Sequence, residues 1–138
     1  MRVVLDTNVI ISGLLRAGSP PDLLRQAWES RRLTLVSSEW QLDELRRVSR
    51  YPRLKNRFAP HQAGRLVGQI RRFAIMVEPA PHGAVSPDPD DDPLIATAIA
   101  GDAQYLVTGD KNDLLALQSV RSVRIVTARQ MLKLLAWK

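Results

Sequence analysis

The chain has no cysteine among its 138 residues. Disulfides and thiolate metal sites are therefore excluded, and the absence is typical of a reducing compartment, which predicts a cytoplasmic location. No apolar run approaches the roughly 20 residues that a transmembrane helix needs, so no membrane partner is expected. The chain also lacks a G-x-G-x-x-G segment and a Walker A lysine loop, so no motif predicts nucleotide binding by backbone amides.

Acidic residues are missing from residues 45–77, a stretch that carries nine basic residues. In residues 86–113 the balance reverses, with seven acids and one lysine, Lys111. A basic segment beside an acidic one suits a protein that holds a phosphate backbone with cations and a metal with carboxylates. The basic segment also fits an acidic partner protein, or a solvated helix face.

Strand-like and helix-like segments alternate along the chain. Apolar runs predict strands at residues 2–5, 33–36, 74–77, 104–107 and 123–126. Spacing and capping residues predict helices at 9–16, 21–30, 38–49, 52–58, 61–73, 92–100, 112–117 and 128–136, with a loop at 78–89. Ser38 and Gln41 resemble a capping box at the start of the helix at 38–49. This alternation predicts one α/β domain, residues 1–138, whose parallel sheet has helices on both faces.

Four carboxylates stand out from this pattern: Asp6, Glu44, Asp92 and Asp110. Asp6 and Asp110 each follow a predicted strand, and open parallel sheets bind ligands outside the carboxyl ends of their strands. A cluster of acids is costly unless a cation lies between them, and a hard divalent ion prefers oxygen ligands. The four residues are therefore candidate ligands for Mg²⁺ or Mn²⁺.

The positions of Asp6 and Glu44 are hard to explain by structure alone. Thr7 and Asn8 can cap the following helix, which leaves Asp6 available for another role. Glu44 falls on the apolar side of its predicted helix, between Trp40 and Val48, with Asp43, Arg46 and Arg47 on the opposite side. The alternative for Glu44 is a buried ion pair with an arginine.

The other two acids have structural alternatives. Asp92 precedes Pro93, an arrangement typical of a helix N-cap, so that capping and metal binding both stay open. Asp110 follows Gly109 and fits a turn, while Asp113 is a competing cap for the next helix. Thr108 offers a hydroxyl near the same crevice, where a hydrogen bond within the turn is its simplest role.

Four segments carry a resemblance to a known family: LDTNVIISGLL, SSEWQLDELRRV, DPDDDPLIATAIA and YLVTGDKNDLLAL. In this order and spacing, the chain resembles PIN domains, and most of all the small single-domain toxins of toxin–antitoxin pairs (VapC-type). The resemblance covers essentially the whole chain. It implies a three-layer α/β/α sandwich with a central parallel sheet of four to five strands. It also implies a metal-dependent endoribonuclease that leaves a 5′-phosphate and a 3′-hydroxyl.

The resemblance also implies the parts of the site. A Mg²⁺ or Mn²⁺ ion would be held by the four carboxylates named above, with Asn8, Thr108 and Asp113 in support. The candidate RNA-binding residues are Arg46, Arg47, Arg50 and Arg53. The expected partners are the RNA substrate, a cognate antitoxin and a second copy of the chain in a homodimer.

The last segment departs from the family pattern. Leu114 stands where phenylalanine is common, and relatives with a shorter turn would place the second acid at Asn112. Two residues, Asp110 and Asp113, therefore compete as the fourth ligand. We favour Asp110.

Two rival functions fit parts of the pattern. One is a PIN-like protein that binds RNA or a partner without cleaving. The other is an aspartyl-phosphate protein with Asp6 as nucleophile, a class that usually has a second acid where this chain has Asn8 and that also needs a positioned lysine, for which Lys111 is the nearby candidate.

Overall fold

The structure forms a mixed but mostly parallel sheet. The computed structural model describes residues 1–57, 59, 61–79, 92–109 and 114–136, and of residue 92 the backbone alone. The strands in this described part are β1 (Arg2–Leu5), β2 (Thr34–Ser37), β3 (Ile75–Met76), β4 (Tyr105–Val107), β5 (Ser119–Val120) and β6 (Val123–Val126).

The helices alternate with these strands. Those of the described residues are α1 (Thr7–Leu15), α2 (Pro20–Glu29), α3 (Glu39–Ser49), α4 (Gln62–Phe73), α5 (Asp92–Ala100), α6 (Leu114–Leu117) and α7 (Ala128–Ala136). Ser19 caps α2, and Pro20 and Pro21 occupy its first turn, where proline costs no hydrogen bond. Among the described residues, no helix is long and apolar enough to cross a membrane.

The strand order places a topological switch between β1 and β4. The order in the sheet is β3-β2-β1-β4-β6-β5, and the neighbours are parallel apart from the antiparallel pair β5 and β6. From β1 the chain builds the sheet first towards β2 and β3, and then returns to add β4 on the other side of β1. The carboxyl ends of β1 and β4 therefore border a crevice of the kind that binds ligands in open α/β sheets.

Both faces of the sheet are covered by helices. Successive residues of β1 alternate between two apolar clusters, with Val3 and Leu5 in one and Val4 in the other. The first cluster contains apolar residues of α1, α2, α3, α4 and α7, whereas the second contains those of α5 and α6. The predicted three-layer α/β/α sandwich is therefore confirmed.

Some local predictions differ from the structure. The antiparallel β5 was not predicted, because two residues are too few to show an alternating pattern. The helix predicted at 52–58 is reduced to a 3₁₀ turn at Lys55–Arg57 that follows a turn through Pro52. Most of the predicted loop at 78–89, and the first residues of the helix predicted at 112–117, lie outside the described residues.

Candidate active site

Asp6 lies at the carboxyl end of β1, beside the switch point. Its backbone N–H donates to the carbonyl of Val107 at 2.8 Å, which ties it to the end of β4. Its side chain caps α1, since Oδ1 accepts from the N–H of Asn8 at 3.3 Å. The capping role that the sequence offered to Thr7 or Asn8 therefore falls to Asp6 itself. One oxygen makes the cap, and the other faces β4.

Thr108 holds that second oxygen. Its hydroxyl donates to Oδ2 of Asp6 at 2.8 Å, and its backbone N–H donates to the carbonyl of Val126 at 3.0 Å. Thr108 is 1% exposed. This hydrogen bond crosses the crevice between the ends of β1 and β4, so Thr108 orients a candidate metal ligand.

Glu44 is brought to the same region by α3. Its Oε1 accepts a short hydrogen bond from the hydroxyl of Thr7, the residue that follows Asp6. Thr7 is buried, and the Glu44 side chain is 20% exposed. The two carboxylates that come from sequence positions 6 and 44 are thus linked through one residue. Sequence reasoning missed this role of Thr7, because a threonine at the start of a helix indicates a cap.

The ion pair of Glu44 is neither buried nor short. Arg47 Nη2 lies 3.7 Å from Glu44 Oε2, and the Arg47 side chain is 64% exposed. Arg47 therefore lies beside Glu44 at i,i+3, which corrects the prediction that it occupies the opposite side of α3. A solvated arginine at this distance contributes little to stability.

A buried glutamine fixes the backbone on which Asp6 stands. Gln41 Nε2 donates to the carbonyl of Leu5, and Gln41 Oε1 accepts from the hydroxyl of Ser37 at 2.6 Å. The sequence predicted a capping box between Ser38 and Gln41, and half of it is present: Ser38 Oγ accepts from the Gln41 N–H at 3.3 Å. The Gln41 side chain joins the ends of β1 and β2 instead of closing the box.

A chain of hydroxyls positions the start of α5. Thr97 Oγ1 donates to the carbonyl of Pro93 at 2.8 Å, and Ser38 Oγ lies 3.0 Å from Thr97 Oγ1. Because the Thr97 proton is used, Ser38 must be the donor in the second contact. The first turn of α5 is thereby tied to the N-cap of α3. Asp92 is the first residue of α5. Its backbone therefore lies at the end of α5 that contacts the start of α3, the helix that carries Glu44.

The side chains of the remaining predicted ligands lie outside the part of the chain that the structure describes. Residues 110–113, which contain both candidates for the fourth ligand and Lys111, are not among the described residues, nor is the side chain of Asp92. Within the described part, no group of three or more potential metal-ligating side chains occurs. The structure therefore brings Asp6 and Glu44 together with Thr108, and Asn8 contributes its backbone N–H to Asp6.

The donor set suits a hard divalent cation. Asp6 and Glu44 present carboxylate oxygens at one edge of the sheet, where hydroxyls and a backbone amide donate to them. No thiolate ligand exists in the chain, because it has no cysteine. Oxygen donors of this kind are preferred by Mg²⁺ and Mn²⁺.

The four candidate RNA-binding arginines do not share one surface. Arg47 lies beside Glu44, whereas Arg46 and Arg50 line a separate groove between α3 and α4. Arg53 is exposed in the turn that follows α3. The basic stretch of the sequence is thus divided between the surroundings of the carboxylates and another face of the same helix.

Comparison with known proteins gives the family. No curated protein matches the chain. The PIN domain family matches residues 2–112, which is more than half of the 138 residues and includes all four predicted carboxylates. PIN domains are generally nucleases and typically use divalent metals. With its mostly parallel sheet and helices on both faces, the chain belongs to the PIN domain family.

Proposed function

We propose that this protein is a metal-dependent endoribonuclease that hydrolyses phosphodiester bonds of RNA with Mg²⁺ or Mn²⁺. The observation that carries the proposal is the link from Thr108 to Asp6 and from Thr7 to Glu44 at the switch point of the sheet. Two carboxylates from distant parts of the chain are held there by hydroxyls of buried threonines. Such support is typical of ligands whose orientation matters for the metal.

The proposed ligands are Asp6, Glu44, Asp92 and Asp110, with Asp113 as the alternative to Asp110. When bound, the metal would polarise a phosphodiester and lower the pKa of a water molecule that attacks phosphorus. The residues of the chain hold and orient: Thr108 fixes one oxygen of Asp6, and Thr7 fixes one oxygen of Glu44. Hydrolysis would leave a 5′-phosphate and a 3′-hydroxyl.

The proposal is tested by RNA cleavage with a matched set of carboxylate variants. Asp6→Asn, Glu44→Gln, Asp92→Asn and Asp110→Asn should each lower metal-dependent cleavage by at least about 100-fold, since loss of a ligand costs more than loss of its support. The control is Asp43→Asn, because Asp43 is exposed on the same helix, one residue from Glu44. EDTA should abolish cleavage by the wild-type protein.

Several outcomes would contradict the proposal. Full cleavage by Asp6→Asn, or cleavage that EDTA leaves untouched, would exclude a metal site at these carboxylates. A folded wild-type protein that binds RNA but shows no turnover with either metal would instead favour a non-cleaving binding protein.

The choice between Asp110 and Asp113 needs a separate measurement. Isothermal titration with Mn²⁺ compares Asp110→Asn with Asp113→Asn in otherwise identical protein. If Asp110 is the ligand, Asp110→Asn should weaken Mn²⁺ binding more than Asp113→Asn does. The reverse order would assign Asp113.

We further propose that the nuclease is the toxin of a type II toxin–antitoxin pair and forms a homodimer. The support is the resemblance of the chain to small toxins of this family. A short neighbouring reading frame whose product co-purifies with the protein and inhibits its ribonuclease activity would agree with the toxin role. Absence of such a gene, together with harmless expression of the active protein, would contradict it. Light scattering tests the dimer.

A further inference from the structure

A basic groove lies between the end of α3 and the start of α4. Its cavity measures about 650 Å³, and its basic lining residues are Arg46, Arg50, Lys55, His61 and Arg65. They come from three elements: α3 and its cap, the 3₁₀ turn, and the beginning of α4. The other described residues of the lining are small: Ser49, Ala59, Ala63 and Gly64.

The positive charge of this groove is not neutralised within the described residues. Arg46 has an acidic neighbour, Asp43, at 3.3 Å on an exposed part of α3. For Arg50, Lys55 and Arg65, no carboxylate lies within 4.0 Å in the part of the chain that the structure describes. Like charges gathered in one concave surface repel each other, and the groove therefore favours an anionic ligand.

Two of the three acids of α3 are engaged elsewhere. Glu39 forms a bidentate ion pair with Arg71 of α4, with contacts of 2.9 and 2.8 Å, at the opposite end of the two helices. Glu44 accepts from Thr7 on another face. The acid-free part of the sequence thus forms the floor and walls of the groove.

The groove is separate from the carboxylate site. At about 100° per residue, Arg46 and Arg50 are separated from Glu44 by roughly 160° and 120° around α3. Arg47 lies only about 60° from Glu44 on this wheel, in agreement with its contact to that side chain. A ligand in the groove is therefore displaced from the carboxylates by about one helix diameter, roughly 10 Å.

The lining indicates a nucleic-acid backbone better than a peptide. Protein interfaces are centred on large apolar and aromatic side chains, and the described residues of the lining include neither. Positive grooves of this kind follow single-stranded nucleic-acid backbones.

We propose that this groove is an exosite for the phosphate backbone of single-stranded RNA, on the far side of α3 from the carboxylates. The inference rests on the proposed function, since RNA is the substrate inferred there. Arg50 and Arg65 are its main contacts, because they line the groove from the C-cap of α3 and from α4 and have no carboxylate within 4.0 Å among the described residues.

The test is fluorescence anisotropy with a labelled single-stranded RNA of about 20 nucleotides, longer than one typical binding site. Binding is measured in EDTA, so that no cleavage occurs. The variant Arg50→Gln/Arg65→Gln should bind about 10-fold more weakly, and its plot of log Kd against log salt should lose about 1–1.5 in slope, since each phosphate contact contributes roughly 0.7 for single strands. Arg50→Lys/Arg65→Lys should retain most of the affinity.

The matched control is Arg16→Gln/Lys133→Gln, which removes the same charge from exposed positions on other elements. It should change the affinity less than twofold. Equal losses of RNA affinity in the two double variants, or no loss in Arg50→Gln/Arg65→Gln, would overturn the proposal. Polyglutamate that displaces the RNA at equal charge concentration would also overturn it, in favour of an acidic protein partner.

A second readout separates this inference from the proposed function. In Arg50→Gln/Arg65→Gln, cleavage of the long RNA should fall several-fold more than cleavage of a dinucleotide, which is too short to reach the groove. Asp6→Asn should bind the long RNA normally and cleave neither. Absence of cleavage by the wild-type protein would contradict the nuclease alone, and normal binding by the groove variant would contradict the exosite alone.

Discussion

The Thr108 hydroxyl lies 2.8 Å from Oδ2 of Asp6 and joins the ends of β4 and β1. The strands that carry these residues are neighbours in the sheet although about a hundred residues separate them in the chain. The contact therefore exists only in the folded protein. Any parallel sheet has strand ends. At this one, the hydrogen bond gives one carboxylate oxygen of Asp6 a fixed direction.

Replacing Thr108 by valine should weaken the site more than the fold. The change removes the hydroxyl but keeps a branched side chain at a buried position. Loss of such a supporting hydrogen bond typically lowers metal affinity or activity by about 10–100-fold. Mn²⁺-dependent cleavage of RNA, titrated with metal, measures the effect. Thr108→Ser restores the donor and should recover most of the affinity; equal behaviour of the two variants would contradict an orienting role.

Replacing Glu44 should abolish cleavage, whereas neither Glu44 nor Arg47 should contribute much to stability. Glu44→Gln keeps an acceptor for Thr7, so thermal stability should change little while cleavage is lost. Arg47→Ala should change the stability by less than about 0.5 kcal/mol, because exposed ion pairs contribute little. Melting temperature and cleavage are measured on both. Marked destabilisation by Glu44→Gln would indicate a structural carboxylate.

The fold was predictable from the sequence because its signals are local. The runs that form β1 and β6 are short and apolar, and the prolines in the first turn of α2 mark its beginning. The alternation of strands and helices predicted the layer arrangement, with which the family resemblance agreed. By contrast, β5 gives no such signal, since its two residues pair only because the chain turns back onto β6.

The supporting residues of the site were harder to predict. Gln41 was assigned to a capping box, and its side chain instead joins Ser37 to the carbonyl of Leu5. A local motif cannot show that the ends of two strands separate nearby and leave a backbone carbonyl in need of a hydrogen-bond donor. The role of Thr7 was hard to predict for the same reason. Its partner Glu44 is 37 residues away in the sequence, so only the folded chain brings the two residues together.

Asp22 should make the stability of the protein depend on pH in the acidic range. It is 4% exposed and accepts from the Gly18 N–H at 2.9 Å, from Arg25 and from Gln26. The Gly18 hydrogen bond, followed by that of Arg25, lowers the pKa of Asp22 below its ordinary value of 3.8. The stabilisation is therefore present above pH 3.8 and is lost as the pH falls through the lowered pKa.

Asp22→Asn should cost about 1–3 kcal/mol at neutral pH, because it weakens hydrogen bonds to a buried charged group. The difference from the wild type should shrink as the pH falls below 3.8. Urea unfolding at several pH values measures it. Glu39→Gln is the control: Arg71 lowers the pKa of Glu39 through an exposed hydrogen bond. Its effect should fade at about 1 M salt, whereas that of Asp22 should persist.

Two glycines should respond oppositely to alanine. A Cβ on Gly101 would lie 2.4 Å from Cγ1 of Val36, a fully buried side chain of β2, whereas a Cβ on Gly64 would meet nothing within 4 Å. Gly101→Ala should therefore destabilise by about 1–3 kcal/mol through overpacking. Gly64→Ala should stabilise by roughly 0.5–1 kcal/mol, because alanine loses less backbone entropy in a helix.

Urea unfolding of both glycine variants and of the double variant Gly101→Ala/Val36→Ala measures these effects. If the clash is the cause, Val36→Ala should cost less in the Gly101→Ala background than alone, since the removed methyl groups are those that the new Cβ meets. Simple additivity of the two changes would mean that Gly101 is required for its backbone and not for the space it leaves to Val36. Stabilisation by Gly64→Ala should be independent of both, because Gly64 lies on α4 beside the basic groove.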